Sequence, residues 1–510
     1  MASLPLRRLI AAPHLLQDWC DGGEQEERHA DWTELFFDLF VVAAVSATVH
    51  LFTADPTWRG AGRMLLYLGL FHFTWTSNTH LMTRIHMGRL AFDALRLLRH
   101  LGVLGMTLGA QDFGRHRRLF AGSYLLVRAV SLLCFAAVWA ALPRARAYAA
   151  LSALLHATMA ALALAAAAGG APSVAAHTAL MGAVLALEAA APAVVVAVPA
   201  ANLPLHVGHI DERLGLLQII YLGESIVAIA TSPLGSDSPA LQVLGAGLGA
   251  VVVWALFLSI YHLEASEHRH ALRQSKLRGL AFLYLHAALG AALNTSGAGL
   301  LMALETYSGG KQGGGEHGGE YLPHVAWTLC ASYGAALHLI AAVRATHYLK
   351  LPRRPRGRRR SGLGGAAARA GAARGGAAAK MLPPEAAPAA HRVRGRLWAW
   401  WAFAGLWPCV AYVLPFAANA AGTGGSLRTT GLLGCIAAHA LAYVLVEAVM
   451  SHAVASEVEG AIDQGGDGGG EGGGGEGGGG EAGVEERQAR CGGADDGARS
   501  VAEGFGAAMA

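Results

Sequence analysis

Trp32-Thr-Glu-Leu-Phe-Phe-Asp-Leu-Phe-Val-Val-Ala-Ala44 opens a run that stays apolar to residue 54 and, past Glu34, carries a single formal charge, Asp38. About 20 such residues in a helix cross the ~30 Å hydrocarbon core of a bilayer. Eleven further segments approach that length: 61–82, 94–111, 119–142, 147–168, 174–200, 213–232, 239–262, 278–304, 322–346, 397–419 and 429–455. Inside lipid every backbone N–H and C=O must be bonded within the protein, so long apolar runs become helices. A membrane barrel would need alternating segments of about ten residues, and the chain has none. The reading is an all-α, polytopic transmembrane helix bundle of about 10–12 spans. The third segment is the weakest, because Arg96, Arg99 and His100 intrude, and the fifth and sixth are Ala-rich.

Composition agrees. Of 510 residues 54% are hydrophobic and 15% charged, with mean hydropathy +0.39; soluble domains carry about 25% charged residues. A soluble globular enzyme is excluded. The net charge of +4 averages two opposed regions. Thirteen Lys or Arg lie between Lys350 and Arg396 against Glu385 alone, whereas the chain after Ser456 holds twelve acids and three Arg. The basic balance is therefore no argument for nucleic acid, which is not expected as a partner. Five parts follow: a cytosolic N-terminal segment (1–30), ten spans (31–350), a basic disordered loop (351–395), two last spans (396–455) and an acidic Gly-rich disordered tail (456–510). Neither the loop nor the tail has the apolar periodicity to offset ordering entropy. The basic run could attract anionic lipid.

Positive charge orients the bundle. Arg7, Arg8 and Arg28, then Arg84 and Arg89, Arg144 and Arg146, and Arg273, Lys276 and Arg278 fall on one side with the basic loop. This puts both termini in the cytosol, with Arg115, Arg117 and Arg118 the dissenting cluster.

A charge at bilayer depth needs a partner, a wet cavity or a role. Glu34 and Asp38 share a helix face at the start of the first segment. Glu34 suits a helix cap, and Asp38 suits either an ion pair or a cation or proton entry site. The seventh segment begins at Asp211, Glu212 and Arg213 and reaches Glu224 eleven residues later, about 16 Å along the axis, beside Gly223 and Ser225. Arg128 is the expected counter-charge for Asp38, Glu188 or Glu224. Asn78 could contact a substrate or bond a neighbouring helix. His206-x-x-His209 and the His262–His270 stretch hold possible ligands, but neither fits a zinc pattern; no metal and no cofactor are expected. No Ser-His-Asp arrangement, GxSxG or P-loop occurs, so an enzyme is the less favoured reading.

Glu34-Leu-Phe-Phe-Asp and Glu212-Arg-Leu-Gly-Leu each open an apolar run containing a deeper acid, and their starts are 178 residues apart. This suggests two parallel six-helix repeats with a site at their interface. Gly105/Gly109 and Gly245/Gly249 are GxxxG patterns suited to close helix contact.

Trp32-Thr-Glu-Leu-Phe-Phe-Asp-Leu-Phe-Val-Val resembles the opening signature of the bacterial low temperature requirement A family, and His209-Ile-Asp-Glu-Arg-Leu-Gly-Leu-Leu-Gln-Ile-Ile-Tyr-Leu-Gly-Glu-Ser-Ile-Val resembles its second. The resemblance covers about residues 28–455 and implies a multi-pass membrane protein associated by name with growth in the cold. It supplies no substrate. It points to Glu34, Phe37, Asp38, Glu212, Arg213, Gly223, Glu224 and Ser225. After Asn78 the family tends to carry acids, whereas this chain reads His80, Arg84 and His86. The leading expectation is a transporter or permease of a small solute, ion or proton in the lipid bilayer, using Asp38 and Glu224 with Arg128. The alternative is a non-transporting sensor or scaffold in a cold or stress response. The sequence admits a homo-oligomer.

Overall fold

The computed structural model describes residues 13–15, 28–87, 89–112, 114–168, 173–232, 234, 239–261, 270–308, 323–348, 399–420 and 425–466. The basic loop, nearly all of the Gly-rich tail and residues 262–269 of the His/Glu stretch lie outside them. The chain divides into one unit of residues 1–17 and 25–457 and a second of 18–24 and 458–510; the bundle is the first.

Helices dominate the bundle. They are α1 (Trp32–Thr53), α2 (Trp58–Met82), α3 (Arg89–Ala110), α4 (Arg117–Ala141), α5 (Arg146–Ala168), α6 (Val174–Ala197), α7 (Val207–Thr231) and α8 (Pro239–Tyr261). After the short α9 (Ala271–Gln274) come α10 (Lys276–Glu305) and α11 (Pro323–Tyr348). A helical segment, Ala399–Ala417, tightens to a 3-10 helix at Trp407–Tyr412 and runs into α12 (Leu414–Ala420); α13 is Gly425–Gly466. The helix of α13 therefore continues into the segment expected to be unstructured from 456. Among the described residues the only strands are two-residue pieces, β1 (His14–Leu15) and β2 (Ile85–His86), paired antiparallel.

Side-chain caps explain several helix starts. Thr57 Oγ1 accepts from the Gly60 amide, Ser173 Oγ from Ala176, and Ser275 Oγ from Arg278, each satisfying an amide that has no partner inside its own helix. Pro192 sits inside α6, where it withholds the hydrogen bond otherwise made to the Glu188 carbonyl.

Among the described residues, ten helices are long and apolar enough to cross a membrane. The helices α2 and α3 have spanning length but fall outside that set. Their lower hydropathy reflects position: α2 buries His72, Thr74, Trp75 and Thr76, and α3 buries Arg99, His100 and Thr107. Large apolar side chains instead cover the outer faces, as in Phe36, Leu39 and Val42 of α1. Such surfaces are ordinary against lipid tails, which are as apolar as Leu. Trp32 and Trp58, 84% and 95% exposed at the first positions of α1 and α2, match the aromatic belt at a membrane boundary.

Residue offsets give the directions. Contacts between α1 and α7 join residues 175 and 178 apart, at Asp38–Arg213, Glu34–His209 and Ser46–Glu224. A nearly constant difference means two helices running side by side in the same direction, as parallel repeats require. The helices α7 and α10 are likewise parallel, since Gln218 reaches the His286 carbonyl while Gly290 abuts Tyr221 and Gly297 abuts Ser225.

Both GxxxG patterns mark close approaches. A Cβ on Gly105 would lie 2.2 Å from Ser123 Oγ, and one on Gly109 only 2.6 Å from the Phe120 amide nitrogen. Gly245 and Gly249 face Tyr307 and Leu300 in the same way. Backbone cannot yield as a side chain can. Gly109→Val is therefore expected to destabilise the bundle by about 1–3 kcal/mol through overpacking. Gly122→Ala, on the same helix pair with no atom within 4 Å of its Cβ position, is expected to cause no loss. Thermal unfolding of both variants in detergent checks this.

Candidate functional site: the charged seam between α1 and α7

Asp31 precedes the first turn of α1, and its amide donates to Glu34 Oε2 (3.1 Å), so Glu34 caps the helix as the sequence suggests. The same oxygen also accepts from His209 Nε2 of α7 at 2.9 Å. Thr83 Oγ1 lies 3.1 Å from the other ring nitrogen of His209. Arg28 approaches Glu34 Oε1 at 3.7 Å and donates to the Met82 carbonyl. Burial holds the Arg28 guanidinium below its ordinary pKa, opposed by Glu34 and Asp31.

One turn deeper, Arg213 grips Asp38 with two hydrogen bonds, NH1 to Oδ2 at 2.7 Å and NH2 to Oδ1 at 2.8 Å. The indole N–H of Trp75 donates to Asp38 Oδ1 at 2.9 Å. The guanidinium lies 5.4 Å from the Trp75 ring centre. Two-pronged Arg–carboxylate geometry is the strong form of the contact. Asp38 is 7% exposed and Arg213 1%, so each charge depends on the other. Among the described residues, nothing hydrogen-bonds the buried Glu34 Oε1 or Arg213 Nε.

Farther along the same seam, Glu224 is 4% exposed and accepts from Ser46 Oγ at 3.2 Å. Among the described residues no Lys or Arg pairs with it. Thr48 and Asn294 lie nearby in sequence register, with Asn294 Nδ2 donating to Thr48 Oγ1 at 3.1 Å. Ser225 faces elsewhere, lining a small internal cavity with Ser296 and Leu300.

Arg128, Glu188 and Asn78 sit apart from this seam. Arg128 does not meet Asp38 or Glu224; its partner is Glu188, at 3.0 Å, which also accepts from Tyr124 Oη at 2.5 Å. Arg128 donates to Thr74 Oγ1 at 2.7 Å and its guanidinium lies 4.7 Å from the Tyr124 ring centre. Of the three acids expected as partners for Arg128, the structure gives it Glu188, while Asp38 and Glu224 are buried in other settings. Asn78 Oδ1 accepts from Arg99. Glu212 is half-exposed, accepts from the Ala30 amide at 3.1 Å and borders a cavity beside α7. His206 Nδ1 accepts from the His209 amide as a helix cap. Among the described residues no group of three or more His, Cys, Asp or Glu is placed to hold a metal ion.

Sequence reasoning missed two partners. Arg213 reads as an interfacial charge beside Asp211 and Glu212, yet it turns inward to Asp38. Arg344, near the end of its segment, pairs with buried Glu447. The only signal in the sequence was arithmetic: buried acids on one set of helices call for as many buried cations on others. The Arg128–Glu188 pair joins α4 to α6, and the Arg344–Glu447 pair joins α11 to α13.

These features define a polytopic α-helical membrane protein whose two signature helices are joined by buried charge. The family model for the bacterial low temperature requirement A protein (LtrA) matches residues 29–458, and the chain belongs to this family. No curated protein and no solved structure gave a match.

Proposed function

We propose that the protein is a carrier that moves a small solute or ion, with Glu224 as the group that takes up the coupled proton or cation. One observation carries the reading: among the buried acids Asp38, Glu188, Glu224 and Glu447, Glu224 is the one with no Arg partner among the described residues. A carboxylate left without a cation at bilayer depth is costly unless protonated, hydrated or occupied. The position supports the reading too, since Glu224 lies on the seam where α1 and α7 run parallel, and folds built of parallel repeats place their sites at the repeat interface. The Asp38–Arg213 pair closes the seam nearer the start of α1, and a path through it requires that pair to part.

The test uses purified full-length protein in liposomes with an entrapped pH dye and an imposed potential. Proton entry above that of empty liposomes is expected. Glu224→Gln should remove the coupling and bring proton entry down to the rate of empty liposomes. Wild-type rates in that variant would eliminate Glu224 from the mechanism.

A second reading, a non-transporting sensor or scaffold, is favoured by the pairing of the other three acids, as expected of groups that only hold helices together. It predicts that Glu224→Gln alters thermal stability and that no flux exists to change.

A further inference from the structure

A cavity of about 390 Å³ lies between α7, α8, α10 and α11, at the end of the bundle where α7 and α10 begin. That volume lies within the range of small-molecule sites. Asp211 and Glu212, 47% and 36% exposed, stand on one wall. Across from them is His286, only 8% exposed. Its Nδ1 donates to the Phe282 carbonyl at 2.8 Å. In a neutral imidazole that leaves Nε2 a bare acceptor, and it has no protein partner among the described residues. The other positive group on the lining, Arg344, is matched by Glu447 and donates to the Ser259 carbonyl. Two carboxylates and one imidazole acceptor therefore face the space, and among the described residues their cationic contacts are two histidines, His270 to Asp211 at 3.2 Å and His29 to Glu212 at 3.7 Å.

The rest of the lining is aromatic and aliphatic. Tyr261 has its hydroxyl proton committed to the Gly215 carbonyl at 2.6 Å, so it offers its ring; Phe282 offers another. A bare metal ion does not suit this arrangement. Among the described residues no three ligands converge, and His347 Nδ1 accepts from the Ala271 amide, which leaves the hydrogen on its other nitrogen. A ligand that fills the space needs N–H donors, positive charge and an apolar body.

We propose that this cavity binds a small organic ammonium ion, its charged nitrogen held by Asp211, Glu212 and His286 Nε2 and its apolar part against Tyr261 and Phe282. Rings beside a desolvated cation add attraction. The ammonium can belong to a soluble amine or to a phospholipid headgroup, since the cavity is near the end of the bundle.

The probe is 2-phenylethylammonium, added to the full chain in nanodiscs and followed by equilibrium dialysis. Saturable binding is expected, with no binding of phenylacetate and at least about tenfold weaker binding of neutral 2-phenylethanol, or 1.4 kcal/mol. Asp211→Asn with Glu212→Gln should weaken the probe at least about tenfold. Because those acids also contact His270 and the Ala30 amide, Val343→Trp is the second variant; it fills the cavity and leaves every charge in place. It should block the probe without lowering the melting temperature. Glu224→Gln should bind as wild type, which separates this site from the transport reading. Competition in phosphatidylethanolamine nanodiscs but not in phosphatidylglycerol ones assigns the ammonium to lipid; equal binding in both assigns it to a soluble amine. Binding that ignores probe charge, or that survives both cavity variants, overturns the proposal.

Discussion

Arg213→Met is expected to destabilise the folded bundle by about 3–5 kcal/mol, because it strands Asp38 as a buried charge held only by the Trp75 N–H. The methionine fills much the same space, so the loss is electrostatic rather than a packing defect. Asp38→Asn in the same chain should restore most of the stability. The asparagine Oδ1 still accepts from Trp75, and replacing both charges of a buried pair by neutral groups is often harmless. Thermal or denaturant unfolding in detergent, followed by tryptophan fluorescence, gives both values. A single variant within about 0.5 kcal/mol of wild type would mean that Asp38 sits in water and that the seam is open.

The second large effect is expected at Arg128. It is fully buried, and beyond Glu188 it serves Thr74 and stacks on Tyr124. Arg128→Met should cost about 3–5 kcal/mol for the same reason, and Arg128→Met with Glu188→Gln should recover much of it. The two clusters flank α2 through consecutive residues, Thr74 and Trp75. Successive helical positions point about 100° apart, so the pairs occupy different faces. Arg128→Met and Arg213→Met together should then be additive within about 0.5 kcal/mol. A larger coupling would show that α2 links the seam to the first half's interior.

Much of the fold is legible in one dimension. Among the described residues, twelve long helical segments answer to the twelve apolar runs, ten of them apolar enough to span. The third run, doubtful because of Arg96, Arg99 and His100, is a full helix, since Arg99 meets Asn78 and His100 stacks on Phe37 and Phe40. Hydropathy underrates such a helix because it scores side chains against lipid, whereas these face other helices. The candidate acids were visible for the opposite reason: a charge inside an apolar run stands out.

Pairing was not visible. Arg128 and Arg213 are equally plausible partners for Asp38 when only their spacing is known. Which one reaches it depends on α7 lying parallel against α1, while Arg128 of α4 reaches Glu188 of α6. The sequence alone set the membrane-spanning helical class, because every apolar run must bond its own backbone in lipid. Tertiary structure alone chose which buried Arg neutralises which acid, and so left Glu224 without one among the described residues. The physical reason is range: helix formation is settled within a few residues, whereas charge matching joins side chains some 175 residues apart.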